Sequence, residues 1–250
     1  MLPTPSTTHV NYAHIYEPAE DSYVLLDTLS SPTETTFLHQ RFSANTTATP
    51  TILEIGVGSG VVLAFVAANA EHIFGRPDLL ALGTDVNAYA ASAAAQTVRV
   101  AVAEKAAQAG VFGDCVVGDL ASPLRARTID VLIFNPPYVP TEDLPSMPNS
   151  GSAETSSLSK DNFARDSHLL ALSYAGGVDG METTNRLLQE LQTILNERGV
   201  AYILLCKQNR PEAVMTGILS WPGGWVAKIV GSSGKKAGWE RLCILRIWRP

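Results

Sequence analysis

The sequence predicts an α/β protein: a seven-stranded, mostly parallel sheet with helices on both faces and a C-terminal antiparallel hairpin. Three observations carry this reading. Short apolar runs alternate with longer helical patterns along the 250 residues, which is the order of βαβ units. The first run, Thr51 to Ile55, feeds a glycine loop and then an apolar helix, the way nucleotide-type α/β folds begin. The last two runs are joined by a link too short for a crossover, so they must pair antiparallel. No linker or internal repeat divides the chain, and 1–250 reads as a single domain.

Hydrophobic residues make up 46% and charged residues 17%, with a mean hydropathy of +0.09. That balance fits a large buried sheet, or an apolar patch covered by a partner. The net charge of -6 makes nucleic acid an unlikely partner, because sequence-independent binding rests on Lys and Arg at phosphates. Cys115, Cys206 and Cys243 lie far apart in apolar runs without metal-ligand spacing. They read as buried thiols in a reducing compartment, and no metal site is expected. Met1 to Pro5 lacks a basic region followed by an apolar core, and no run reaches the length of a membrane span. The expected location is the cytoplasm, extending to the nucleus, with no membrane association.

Residues 1–13 are rich in Thr and Pro and read as a loose N-terminus. Tyr16 to Ser22 then runs into Tyr23 to Asp27. Pro18 suits a first helical position, and Glu20 and Asp21 suit the positive end of the helix dipole. Locally this is an ordinary capped helix. Residues 31–49 read as a loop. The glycines of Gly56-Val57-Gly58-Ser59-Gly60 let the backbone approach a ligand. The GxGxG spacing, with the carboxylate of Glu54 just before it, suits an ammonium or sulfonium better than a pyrophosphate.

The second strand, Leu79 to Asp85, ends in an acid placed for ribose hydroxyls. Helix capping by Asp85 or Asn87 is the plainer alternative, and the glycine loop upstream favours ribose. Alanine-rich Ala88 to Ala109 predicts a helix stopped at Gly110. Val111 to Val117 is a third strand, closed by Gly118-Asp119-Leu120. Asp119 is placed to accept from an exocyclic amine, and Leu120 to pack on its ring.

Ile129 to Phe134 reads as a strand buried on both faces. It ends in Asn135-Pro136-Pro137-Tyr138, where the prolines cannot donate ladder bonds. Asn135 is thus displayed at a carboxyl strand end. Residues 141–160 form a long flexible loop, either a flap beside Asn135 or a tolerated insertion. Leu169 to Tyr174 and Gly176-Gly177-Val178-Asp179-Gly180 bring the chain back. A helix follows with Leu187, Leu188, Leu191, Ile194 and Leu195 on one face, stopped at Gly199. Val200 to Cys206 is the fifth strand, Pro211 to Ser220 a short helix, and Trp225 to Val230 with Arg241 to Trp248 the hairpin.

Glu54, Asp85, Asp119 and Asn135 therefore stand at the ends of the first four strands, which share one edge in a parallel sheet. With Glu54-x-Gly56-x-Gly58 and Asn135-Pro136-Pro137-Tyr138, this order resembles the Rossmann-like class I S-adenosylmethionine-dependent methyltransferases. The Asn-Pro-Pro-Tyr form is similar to that of enzymes acting on planar amide or amine nitrogens. These include N6-adenine nucleic-acid methyltransferases and the HemK/PrmC-type release-factor glutamine methyltransferases. Tyr16 to Ser22, Gly176 to Gly180 and Gly238-Trp239-Glu240 resemble the short eukaryotic HemK-type enzymes. The stretches 31–49 and 141–160 are longer than the usual pattern, and the helical N-terminal domain of the bacterial enzymes has no counterpart.

The resemblance implies S-adenosyl-L-methionine as cofactor, leaving S-adenosyl-L-homocysteine. It implies N5-methylation of the glutamine in the Gly-Gly-Gln motif of a eukaryotic class 1 termination factor, presented with its GTPase partner. Glu54, Gly56 and Gly58 would hold the methionine part, Asp85 the ribose, and Asp119 with Leu120 the adenine. Ser22 would close over the cofactor, which overrides the plain helix reading. Asn135 and the Pro136 carbonyl would accept the two N–H bonds of the substrate. Pro137 and Tyr138 would meet its flat amide. Such acceptors return electron density to a delocalised nitrogen and aim its lone pair. The resemblance also implies a small zinc-binding activator subunit, docked on the third-strand edge near Cys115 to Val117. Alternatives are N6-adenine methylation, disfavoured by charge, a non-catalytic cofactor-binding subunit, disfavoured by the intact Asn135 to Tyr138, and lysine methylation as a second activity.

Overall fold

The computed structural model describes residues 2–44, 48–146, 159–234 and 241–250. In chain order the elements are α1 (Glu20–Leu29), α2 (Pro32–Arg41), β1 (Thr51–Ile55), α3 (Val61–Ala68), α4 (Ala70–Phe74), β2 (Leu80–Asp85), α5 (Ala88–Glu104), β3 (Val111–Val117), β4 (Ile129–Phe134), α6 (Ser159–Tyr174), α7 (Glu182–Ile194), β5 (Leu195–Cys206), α8 (Pro211–Leu219), β6 (Val226–Ser232) and β7 (Leu242–Trp248). The strands form one sheet in the order β3-β2-β1-β4-β5-β7-β6. The first five run parallel, and β7 enters antiparallel between β5 and β6. This is the α/β sheet with an antiparallel C-terminal pair that the sequence predicts.

β4 lies in the middle, and all six of its residues are buried. Its alternation feeds both layers. Val131 and Ile133 join the core under α1 to α5, while Ile129, Leu132 and Phe134 join the core under α7 and α8. Each buried aliphatic side chain of this size contributes about 1.5–3 kcal/mol. Asp130 is the polar exception, and it is fully bonded. Its carboxylate accepts from Thr51 N at 2.8 Å, Asn196 Nδ2 at 2.6 Å and Arg198 Nε at 2.5 Å. The bond to Thr51 ties β4 to β1, and those to Asn196 and Arg198 hold β5 against β4 across an irregular register between Ile129 and Val131. β5 begins at Leu195, ahead of the expected Val200, because Leu195 is extended and pairs with Ile129, which takes it out of the helix expected to run on toward Gly199.

Residues 31–49 are not loop throughout, because α2 forms there. Ser31 caps it by accepting from Glu34 N at 3.4 Å, and Pro32 occupies the first turn, a Ser-x-x-Glu start. Its inner face carries Leu38 but is otherwise anchored by charge. The fully buried Glu34 accepts from Arg246 Nη1 at 2.7 and 2.9 Å and from the Tyr202 hydroxyl at 2.9 Å. The Arg246 guanidinium also lies 3.7 Å from the Phe37 ring centroid and 4.4 Å from that of Trp248, in the corner of a T-shaped aromatic pair, where it makes cation–π contacts.

Other boundaries shift for local reasons. α1 starts at Glu20 because Ala19 is extended (φ −128°), which leaves Pro18 ahead of the helix. α5 ends at Glu104, short of Gly110. The Gly110 amide instead donates to Ala67 O at 2.8 Å, turning the chain into β3. Residues 7–16 are tied down along α5, although their composition reads as loose. Val10 and Ile15 are buried against Ala90, His9 Nε2 lies 3.2 Å from Ala93 O, and Asn87 Nδ2 donates to His14 O at 2.7 Å. The expected loop at 141–160 gives way to α6 at Ser159; residues 147–158 lie outside the described residues, as do Gly238, Trp239 and Glu240. Among the described residues no helix is long and apolar enough to cross a membrane. β3 closes one end of the sheet, with Val111, Val116 and Val117 exposed by 64%, 42% and 58%.

Candidate active site

Register brings the strand ends to one level. Glu54 pairs with Gly83 and Ile133, and Ile55 with Thr84 and Phe134, so Glu54, Asp85 and Asn135 share one edge of the sheet. A cavity opens there, lined by Ser22, Glu54, Gly56, Gly58, Asp85, Asp119, Leu120, Asn135 and Pro137. Two of the expected residues stay out of it. Pro136 is buried behind the cavity wall, and the half-buried Tyr138 ring packs against the core under α1 to α5.

The glycine loop is shaped by its neighbours. Gly56 N and Val57 N both donate to Thr84 O, at 2.8 and 3.2 Å. Gly60 (φ +80°) opens α3, and a Cβ on it would lie 2.5 Å from Ala94 Cα. Only glycine therefore lets α3 and α5 approach this closely.

Two buried acids face the cavity. Glu54 is 3% exposed, and its Oε2 accepts from Leu63 N at 2.8 Å in the first turn of α3. Burial pushes its carboxyl well above the usual carboxylate range. The Leu63 bond opposes the rise and the charge of Asp85 adds to it. Asp85 accepts from Gly58 N at 3.0 Å and from Asn87 N at 2.8 Å. Burial pushes its carboxyl up to about 6, against those backbone bonds. Helix capping falls to Asn87, whose side chain accepts from Tyr89 N at 3.0 Å. Neither acid has an ion-pair partner among the described residues. Buried carboxyls without a counterion favour a cationic ligand, which would restore their ionised form.

Leu120 sits at φ +50°, a left-handed conformation that costs a branched residue about 1–2 kcal/mol. The buried Thr84 hydroxyl holds it, donating to Leu120 O at 2.8 Å. Beside it, Asp119 Oδ2 is paired with Arg186 Nη2 from α7, and both residues line the cavity. Asn135 Oδ1 is buried with no hydrogen-bond partner among the described residues. A buried acceptor left without a donor costs about 1–3 kcal/mol, so this oxygen is poised for a donor on a ligand.

Arg186, Thr84 and Asn209 also shape the site, and nothing in their local sequence points to them. Asn209 is 2% exposed and joins three segments. Its Nδ2 donates to Tyr138 O at 3.1 Å, Asp179 O at 2.9 Å and Gly180 O at 3.3 Å, while its Oδ1 accepts from Cys206 N at 2.7 Å. The Gly176 to Gly180 turn is the socket for this contact. Gly180 has φ +67°, and a Cβ there would fall 1.9 Å from Tyr138 O.

No protein-family model matches the chain. It is 31% identical to methyltransferase HEMK2 of Homo sapiens over 97% of this chain and 95% of that protein. It is also 31% identical to the eRF1 methyltransferase catalytic subunit mtq2 of Schizosaccharomyces pombe, over 100% of this chain and 96% of that one. Among solved structures, the Mtq2–Trm112 complex of E. cuniculi matches with a TM-score of 0.56 and 22% identity, over 95% of this chain and 99% of that chain, which supports the fold. Kinship over nearly the full length joins a cavity lined by three acids, two of them buried, and an orphaned amide oxygen, and on that kinship the chain belongs to the HEMK2/Mtq2 family of methyltransferases.

Proposed function

We propose that this chain is the catalytic subunit of an eRF1 methyltransferase, which moves a methyl group from S-adenosyl-L-methionine to the glutamine nitrogen of the Gly-Gly-Gln motif. The observation that carries the reading is the buried Oδ1 of Asn135, unpartnered among the described residues, in a cavity that Glu54, Asp85 and Asp119 also line. The kinship with an eRF1 methyltransferase catalytic subunit supports it.

The residues present fit the cofactor. Glu54 and Asp85 are buried carboxyls with no counterion among the described residues, which suits an ammonium and a sulfonium on the ligand. When bound, the cofactor supplies an electrophilic methyl carbon on a good leaving group. In this reading Glu54 and the loop at Gly56 and Gly58 hold the amino-acid end. Asp85 accepts from ribose hydroxyls, and Asp119 with Leu120 receives the adenine. Ser22, whose Oγ now donates to Asp21 Oδ1 at 3.3 Å, closes over it. Asn135 Oδ1 and the Pro136 carbonyl each accept one N–H of the glutamine amide. That grip weakens delocalisation into the amide carbonyl and aims the lone pair. Pro137 lines the approach, while the Tyr138 ring braces the loop from the core side. With nitrogen as its own nucleophile, no activated Ser or Cys is needed, and the proton leaves after transfer.

The chain works, in this reading, with a small zinc-binding activator on the free β3 edge. The solved Mtq2–Trm112 complex supports such a partner, as do the exposed valines of β3. The test is incubation of the co-purified pair with labelled cofactor and either eRF1 with its GTPase partner or DNA. Label in the eRF1 glutamine is expected, and Asn135→Ala should abolish it while S-adenosyl-L-homocysteine still binds. Label in DNA alone overturns the proposal.

A further inference from the structure

We infer that Asn209, outside the cavity, is a positioning residue for methyl transfer, acting through the backbone of Pro136 to Tyr138. The inference rests on the function proposed above. Pro136 and Pro137 have fixed φ angles, so the link between β4 and Tyr138 is a stiff rod. β4 anchors one end of it, where Phe134 pairs with Ile55 and Ile203. Asn209 anchors the other by donating to Tyr138 O at 3.1 Å. With both ends held, the Pro136 carbonyl has little freedom to turn, and its direction decides whether it meets a substrate N–H.

The rest of the clamp has the same target. Gly176 N donates to Val139 O at 2.8 Å, Val139 N to Tyr174 O at 3.0 Å, and Thr141 N to Gly177 O at 3.0 Å. These bonds zip the segment after Tyr138 onto the chain leaving α6. The Asn209 amide then bonds the turn carbonyls of Asp179 and Gly180 together with Tyr138 O, and its oxygen takes Cys206 N at the end of β5. One buried amide thus references the catalytic loop to the sheet. None of its bonds reaches Glu54, Asp85 or Asp119, so cofactor affinity should be insensitive to it.

The discriminating change is Asn209→Asp. It keeps the shape and the acceptor for Cys206 N but replaces the donor that faces three carbonyls with a second acceptor. Asn209→Ser keeps one donor and tests the same point if the Asp variant fails to fold. Each is compared with the unmodified chain, co-purified with the activator, for kcat on eRF1 and for Kd of S-adenosyl-L-homocysteine. Asn209→Asp should lower kcat by at least roughly thirtyfold, the scale of a displaced reacting group. Asn209→Ser should lose less, and both should bind S-adenosyl-L-homocysteine within about twofold of the unmodified chain. An unchanged kcat, or kcat and cofactor affinity falling together, overturns the inference. Failure of the unmodified chain to label eRF1 overturns the proposed function and this inference with it.

Discussion

Arg186 reaches from α7 to hold Asp119 at the far end of β3, Nη2 to Oδ2, at the rim of the cavity. The pair is half-exposed, 43% and 36%, so its contribution to folding is small, about 0–1 kcal/mol. In the proposed function its value lies in orientation: pinning one carboxylate oxygen leaves the other for the amine of an adenine. Arg186→Ala should leave the melting temperature nearly unchanged and weaken S-adenosyl-L-homocysteine binding by about fivefold to tenfold, the cost of one freed side chain. Calorimetric titration of both proteins checks this.

The buried acids set a pH dependence. A ligand that needs them ionised must drive protons off Asp85, raised to about 6, and off Glu54, raised as well. Binding should therefore tighten as pH rises through about 6 and release protons, detectable by calorimetry in buffers of different ionisation enthalpy. Affinity that is flat between pH 5 and pH 8, on the order of the window spanned, would contradict the assignment.

The same raised values work against the empty fold. A carboxyl with a higher pKa folded than unfolded binds more protons in the native state, so stability falls as pH rises through that interval. Glu54→Gln removes the desolvated charge. It should raise the melting temperature of the ligand-free protein at pH 8, a value taken about two units above Asp85, while weakening S-adenosyl-L-homocysteine binding at least about tenfold. A lower melting temperature with unchanged affinity would sink this account of Glu54.

Glu34 and Arg246 form an ion pair with Glu34 fully buried and Arg246 8% exposed. Glu34→Ala leaves the guanidinium without its anion and should cost about 3–5 kcal/mol in urea denaturation. Replacing both partners, Glu34→Leu with Arg246→Met, should recover most of that loss. Burial also raises the Tyr202 hydroxyl well above its ordinary range, with the Glu34 charge adding to it, so Tyr202 remains a neutral donor throughout.

At the β3 edge, Val117→Glu changes a side chain that is 58% exposed. Folding should be disturbed by no more than about 0.5 kcal/mol. Recovery of the activator in pull-downs should drop at least about tenfold, because a charge then faces an apolar strand-pairing surface. Undiminished recovery would place the activator elsewhere.

What the sequence makes legible here is local. β4 announces itself by an unbroken apolar run and its stop by two prolines, and the acids at strand ends follow from where apolar runs halt. α2 escapes periodicity because its inner face is held by Glu34 and Arg246, partners far apart in the chain. Arg186 and Asn209 carry no local signal, since folding brings them to Asp119 and Tyr138 from distant segments. The N-terminal strap is missed for a related reason. Its few apolar residues, Val10 and Ile15, find their complement only on α5.

β7 follows the other six strands in the sequence yet lies inside the sheet, and among the described residues β6 pairs with no other strand. Until Leu242 to Trp248 leaves the ribosome, β5 carries an open hydrogen-bonding edge and β6 has nothing to join. Such an edge invites pairing with the wrong chain. The sheet beyond β5 therefore closes only once β7 is available, and a chain truncated before Leu242 should be left with an open β5 edge that pairs readily with other chains.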